Sequence, residues 1–330
     1  MNFKVPSGTS RGILKTKETW FLTLEKNGKK GVGECGIFRG LSIDDRPDYE
    51  EKLQWVCQNI HLGLELLLIE TIQFPSIQIG LEQAFLSLAS TNTFHLFPSD
   101  FSSSKAGINI NGLIWMGNKQ FMKDQIKQKI QQGFRCIKMK IGAIDFQTEI
   151  ELLQSIRKEF SIEDIELRVD ANGAFNPKEA LEKLKVLSEY NLHSIEQPIK
   201  QGQLQEMAVL CDKTPLPIAL DEELIGVTNE HDKKELLSLI KPQFIILKPS
   251  LHGGIKGCNE WIELAESLGV GWWLTSALES NIGLEMIARF AAYFKPNIAQ
   301  GLGTGGLFLN NFSSRLFIDK GHLFLGDEEK

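Results

Sequence analysis

Between residue 105 and residue 301 the chain repeats one unit: a short β-branched or apolar run followed by a helical pattern. The runs are 107–112, 136–140, 165–170, 194–196, 217–221, 244–248, 271–275 and 296–301. Apolar residues at helical spacing fill 118–132, 148–159, 177–190, 204–213, 229–239, 254–268 and 282–293. Such alternation predicts a parallel sheet with helical crossovers. Eight strands in about two hundred residues predict a closed barrel. An open doubly wound sheet is the alternative, but its first turn usually reads GxGxxG, and 107–112 reads Gly-Ile-Asn-Ile-Asn-Gly.

The first hundred residues read differently. Residues 19–24 predict a strand, Asn27-Gly28 a hairpin turn, and 30–35 the return strand. Residues 48–60 and 79–88 carry helical spacing. The polar stretch Pro98–Ser104 marks a boundary. The expected division is an α+β unit over 1–100 and a barrel over 101–305.

Ionisable residues fall in phase with the repeat. Lys138 and Lys140 end the second run, Asp170 the third, Glu196 the fourth, Asp221 the fifth and Lys248 the sixth. In a barrel these side chains converge on the rim that carries active sites. Three carboxylates without Cys or His suit a hard cation, Mg²⁺ by default with Mn²⁺ as a substitute. Such an ion holds a carboxylate and neutralises a developing enediolate. A lysine beside a metal and a second cation is pushed toward neutrality, which suits a general base. The pattern therefore points to proton abstraction α to a carboxylate.

Each residue alone has a plainer reading. Asp170 or Asp221 could be a helix cap or turn residue. The two lysines could lie on an exposed edge strand, and Lys248 in an ordinary loop. Gly253-Gly254 and Gly301–Gly306 could present backbone N–H groups to an anion, or simply make turns that need positive φ. Ser276 and Ser280 could hold substrate, and Ser280 or Asn281 could equally cap a helix. His252 reads as a loop residue, and Trp272-Trp273 as a pair that packs one ring in the core.

Composition removes other classes. With 36 Lys+Arg against 42 Asp+Glu, the net charge is −6, which argues against a nucleic-acid binder. No apolar run is long enough to span a bilayer, and the N-terminus lacks a signal-peptide core. Five widely spaced cysteines without a CxxC fit reduced thiols in the cytoplasm. The expected partner is a small dianionic carboxylate substrate, with no nucleic acid and no membrane. A homo-oligomer is compatible with the chain.

Several segments carry a resemblance: Lys138-Met139-Lys140, Arg168-Val169-Asp170-Ala171-Asn172-Gly173, Glu196-Gln197-Pro198, Asp221-Glu222 and Lys248. In order and spacing this set resembles the enolase superfamily, in its muconate lactonizing enzyme-like group. The resemblance implies a (β/α)7β modified TIM barrel with an N-terminal capping domain, to which the tail 306–330 returns. Residues 170–175, 247–254, 276–283 and 301–304 are most similar to the o-succinylbenzoate synthase family. That family implies a carbon–oxygen lyase of menaquinone biosynthesis, acting by syn dehydration of 2-succinyl-6-hydroxy-2,4-cyclohexadiene-1-carboxylate. Asp170, Glu196 and Asp221 then resemble the Mg²⁺ ligands. Lys140 resembles the base, with Lys138 tuning it and Lys248 facing the enediolate from the other side. Arg168, Asn172, Gly253, Gly254, Ser276, Ser280, Gly303, Thr304, Arg39 and Gly40 are the expected substrate contacts. Residues 36–42 resemble the mobile cap loop. The alternatives are an N-acylamino acid racemase, a cycloisomerase on the same site, or a non-catalytic carboxylate-binding barrel.

Overall fold

The computed structural model describes residues 1–9, 12–90 and 97–327. Residues 10–11, 91–96 and 328–330, which fall within the expected cap and tail, lie outside the described residues. The N-terminal part holds two antiparallel pairs, β1 (Asn2–Thr9) with β2 (Gly12–Thr16) and β3 (Glu18–Lys26) with β4 (Lys29–Ile37). The β3–β4 register runs to Lys26↔Lys29, so Asn27-Gly28 forms the predicted two-residue turn, both residues at positive φ. Helices α1 (Tyr49–Gln58), α2 (Leu64–Glu70) and α3 (Pro75–Ala89) follow. α3 lies directly on β4: a Cβ on Gly33 would sit 1.8 Å from the Gly80 carbonyl oxygen. Leu22, Leu24, Ile37, Val56, Ile77 and Leu81 form the core of this layer.

Two short strands come next, β5 (Ile108–Asn109) and β6 (Gly112–Ile114). The βα units then run α4 (Lys119–Gln131), β7 (Cys136–Lys140), α5 (Phe146–Glu159), β8 (Glu166–Asp170) and α6 (Pro177–Ser188). They continue through β9 (Ser194–Glu196), α7 (Leu204–Lys213), β10 (Ile218–Leu220), α8 (Glu230–Ile240) and β11 (Phe244–Leu247). α9 (Gly254–Leu268), β12 (Gly271–Leu274) and α10 (Asn281–Tyr293) complete the series, and the hairpin β13 (Leu316–Asp319) and β14 (His322–Leu325) follows. Strands β6 to β12 form one parallel sheet in sequential order. Asn118, Asp145, Asn176, Asn229 and Ser280 each cap the next helix through a side-chain oxygen.

Two expected strands need correction. The run 107–112 is divided: Ile108 and Asn109 pair antiparallel with β14, Ile110 bridges Gln300, and Gly112 begins β6, the first strand of the parallel sheet. The run 296–301 forms no ladder, and only single bridges join Gln300 to Ile110 and Gly301 to Thr275. Those bridges close the ring. The Gln300 side chain supplies part of the missing ladder, since its Oε1 accepts from the Leu274 N–H at 2.8 Å. Pro296 could not have donated a ladder bond.

Strand alternation sets what faces inward. Ile137, Met139, Leu167, Val169 and Ile195 join the large core under the helices. Lys138, Lys140, Arg168, Asp170, Ser194 and Glu196 take the opposite face. Two carboxylates tie the N-terminal layer to the barrel mouth. Glu34 of β4 accepts from the Ser280 and Gly283 N–H groups at 2.8 and 2.9 Å. Glu82 of α3 accepts from the Ile255 and Lys256 N–H groups. These are the first turns of α10 and α9, where unpaired N–H groups and the helix dipole favour an anion.

Candidate active site

A cavity of about 320 Å³ opens between the N-terminal layer and the strand ends. Lys138, Lys140, Asn172, Lys248, Ser276, Gly303 and Thr304 line it from the barrel, and Arg39 and Gly40 from the loop after β4. The registers Lys140↔Asp170 and Asp170↔Glu196 set these side chains level on neighbouring strands.

All three carboxylates are buried and face lysines. Asp170 Oδ2 accepts from Lys138 Nζ at 3.1 Å and Lys140 Nζ at 2.5 Å. Glu196 Oε2 accepts from Lys138 Nζ at 2.7 Å. Lys248 Nζ donates to Asp221 Oδ2 and lies 4.0 Å from Glu196 Oε1. Burial pushes the Asp170 carboxyl up, but Lys140 and Lys138 outweigh it and hold it well below the usual range. Asp221 is brought down to about 2, Lys248 outweighing burial. Burial and the neighbouring Asp170 charge push Glu196 well up. Burial alone would lower Lys138, but Glu196 and Asp170 raise it above the ordinary lysine value.

The residues fit a hard cation. Glu196 Oε1 and Asp221 Oδ1 are buried oxygens that accept no hydrogen bond, a costly state unless something positive reaches them. The donor set is all oxygen. Among the described residues only His231, Asp232 and Glu235, all exposed, bring three His, Cys, Asp or Glu ligand atoms within 4.8 Å of one another. The strand-end carboxylates stand wider, with lysine ammonium groups between them, so a cation would exchange places with lysine contacts.

Surrounding residues fix the lysines. Asn172, at φ 45°, accepts from Lys140 Nζ at 2.8 Å and donates to Glu222 Oε1 at 3.0 Å. His252 is more than a loop residue: its Nδ1 accepts from the Lys248 N–H at 2.9 Å, and burial lowers the imidazole to about 3, so it stays neutral. Gln197, also at positive φ, accepts from the Asp221 and Glu223 N–H groups through Oε1. A left-handed non-glycine residue is uncommon and concentrates at functional sites.

Several expected substrate contacts lie elsewhere. Arg168 is buried below the site, over the Trp273 ring at 4.4 Å and donating to the Ala299 carbonyl at 2.8 Å. It shares Asp170's face but sits two residues earlier, one layer deeper in the barrel. Gly253 and Gly254 do not line the cavity. They lead into α9, and the group that meets that helix end is the protein's own Glu82 carboxyl. Ser280 is fully buried, caps α10 and donates to Glu34 Oε2 at 2.5 Å. Arg39 is at the cavity, but Glu18 and Asp45 hold its guanidinium. Reading the sequence missed the apolar lining from Ile13, Leu14, Phe38, Leu41, Trp115 and Leu278, because apolar residues in short strands and loops look like core.

The Enolase C-terminal domain-like family model matches residues 122–323. The chain belongs to the enolase superfamily. It is 44% identical to o-succinylbenzoate synthase of Desulfotalea psychrophila (strain LSv54 / DSM 12343), over 97% of this chain and 95% of the relative. The crystal structure of MenC from Desulfotalea psychrophila LSv54 matches with a TM-score of 0.85 at 42% identity, covering 95% of each chain. A dipeptide epimerase from Cytophaga hutchinsonii, complexed with Mg and a dipeptide, shares the fold with a TM-score of 0.84 at 21% identity, over 98% and 90% of the two chains. The superfamily's barrel is thus the frame on which the lysines and carboxylates described above are mounted.

Proposed function

We propose that the chain is an o-succinylbenzoate synthase, a carbon–oxygen lyase that dehydrates 2-succinyl-6-hydroxy-2,4-cyclohexadiene-1-carboxylate in menaquinone biosynthesis. The observation that carries this is the lysine–carboxylate cluster on the cavity floor, in a chain 44% identical to a relative of that name. A divalent cation, Mg²⁺ with Mn²⁺ as a substitute, held by Asp170, Glu196 and Asp221, would bind the substrate carboxylate and neutralise charge developing on it.

Lys140 takes the proton α to the carboxylate. Charge moves onto the carboxylate oxygens, which Lys248 faces from the far side of the cluster. The ring C–O bond then breaks, and the ammonium of Lys140 returns its proton to the departing hydroxide. Water and an aromatic ring result, so atoms and protons balance. Lys138 holds the carboxylate cluster together and tunes Lys140. Asn172 and His252 support this reading by fixing where Lys140 and Lys248 stand.

Residues 1–100 then act as the cap, with the tail from 306 returning to it, and 101–305 as the catalytic barrel. The backbone bond from the Lys4 N–H to the Leu307 carbonyl at 2.8 Å supports the return. A cytoplasmic setting is supported by five free cysteines. Among the described residues no helix is long and apolar enough to cross a membrane.

The test is turnover of the cyclohexadiene substrate by purified protein, with and without chelator. Metal-dependent formation of o-succinylbenzoate is expected. Exchange of solvent deuterium into N-succinylamino acids without dehydration would favour the racemase instead.

A further inference from the structure

The hydroxyl groups around the last two strand ends form a chain whose protons all run one way. Glu279 is buried, and both its carboxylate oxygens accept hydrogen bonds, from Ser250 Oγ at 2.5 Å and from Ser276 Oγ at 2.6 Å. A carboxylate has no proton to give, so the Ser276 proton is committed to Glu279. The Ser276 oxygen in turn accepts from the Glu279 N–H at 3.3 Å and from Thr304 Oγ1 at 2.9 Å. One donor and two acceptor positions are all that a serine hydroxyl has. Ser276 is therefore saturated within the protein, and the Thr304 proton is committed to Ser276. Thr304 lines the cavity, and what its oxygen keeps for a ligand there is lone pairs alone.

We propose that Thr304 is a specificity-determining residue that accepts a hydrogen bond from a ligand hydroxyl, with Glu279 and Ser276 as the positioning residues that turn its proton away. This rests on the dehydratase reading above. Substrate and product carry the same two carboxylates, so charge alone does not separate them. With its carboxyl groups ionised, the cyclohexadiene substrate has one hydrogen-bond donor, the ring hydroxyl, and the product has lost that group as water. An acceptor-only Thr304 favours the ligand that still carries its O–H. It also opposes a carboxylate oxygen placed against it, because two acceptors meet there without a proton between them.

The test compares substrate and product on the same variants of the full chain. Thr304→Val keeps the shape and removes the acceptor. It should raise the substrate KM about tenfold, the worth of one hydrogen bond, and leave the competitive inhibition constant of o-succinylbenzoate within twofold. Thr304→Ser restores the hydroxyl and should return the KM to near the wild-type value. Ser276→Ala frees the Thr304 proton, so product binding should strengthen relative to substrate. Equal shifts for substrate and product in Thr304→Val, or an unchanged substrate-to-product ratio in Ser276→Ala, would overturn the inference. No turnover by the wild-type chain would overturn the dehydratase reading instead.

Discussion

Glu82 Oε2 accepts a hydrogen bond from the Ile255 N–H at 2.5 Å, joining α3 to the first turn of α9. Burial lifts this carboxyl from 4.5 to about 7, against the pull of the Lys256 and Ile255 N–H groups. The folded chain therefore holds the proton more tightly than the unfolded chain. Stability from this group is highest below about pH 4.5 and is lost as pH rises to about 7. Thermal melts of wild type and Glu82→Gln between pH 4.5 and 8 should show the wild type losing on the order of 2 kcal/mol relative to the variant. A wild type that gains on the variant over that range would reverse the sign and reject the assignment.

Lys140→Ala removes the proposed base. Turnover should fall by about a thousandfold or more, while circular dichroism shows the native fold. Lys138 still faces Asp170 in the variant, so the buried carboxylate keeps a cation. A rate within tenfold of wild type would move the base elsewhere.

Chelation should abolish turnover, and Mg²⁺ or Mn²⁺ should restore it. A ligand that binds only the folded state raises the melting temperature, so Mg²⁺ should stabilise chelator-treated protein. Glu196→Gln should remove that thermal shift. A shift that survives in the variant would place the ion outside the three-carboxylate cluster.

Gly33→Ala should destabilise the chain by about 1 to 3 kcal/mol in urea unfolding, because its Cβ would meet backbone rather than a movable side chain. At Gly306 the space is open, with no heavy atom within 4 Å of where a Cβ would stand. Gly306→Ala is the control and should stay within about 0.5 kcal/mol. Equal effects at both sites would mean that α3 does not press on β4 as described.

The polar inner face of the strands was legible in the sequence for a physical reason. Strand alternation sorts Lys138 and Lys140 from Met139, and one βα unit of nearly constant length repeats the sorting at Asp170, Glu196 and Asp221. Parity does not report depth: Arg168, expected from the resemblance as a substrate contact, shares Asp170's face but lies one layer beneath it. Glycine runs report backbone freedom without naming the acceptor, and at Gly253-Gly254 the acceptor is Glu82 from a distant part of the chain. The seam at Gln300 was hidden because a side-chain amide there stands in for a ladder bond. Thr304 was legible as a polar residue, but the direction of its proton depends on Ser276, which only three-dimensional packing brings against it, and on Glu279 three residues beyond Ser276.

Glu34 and Glu82 close the N-termini of α10 and α9, 246 and 173 residues further along the chain. During synthesis these carboxylates leave the ribosome long before the helices they complete. They must wait, charged and hydrated, until the sixth and seventh βα units have emerged. The N-terminal layer can form its hairpins early, but its seating is among the last events of folding. Loss of the final barrel helices would therefore unseat the beginning of the chain as well as its end.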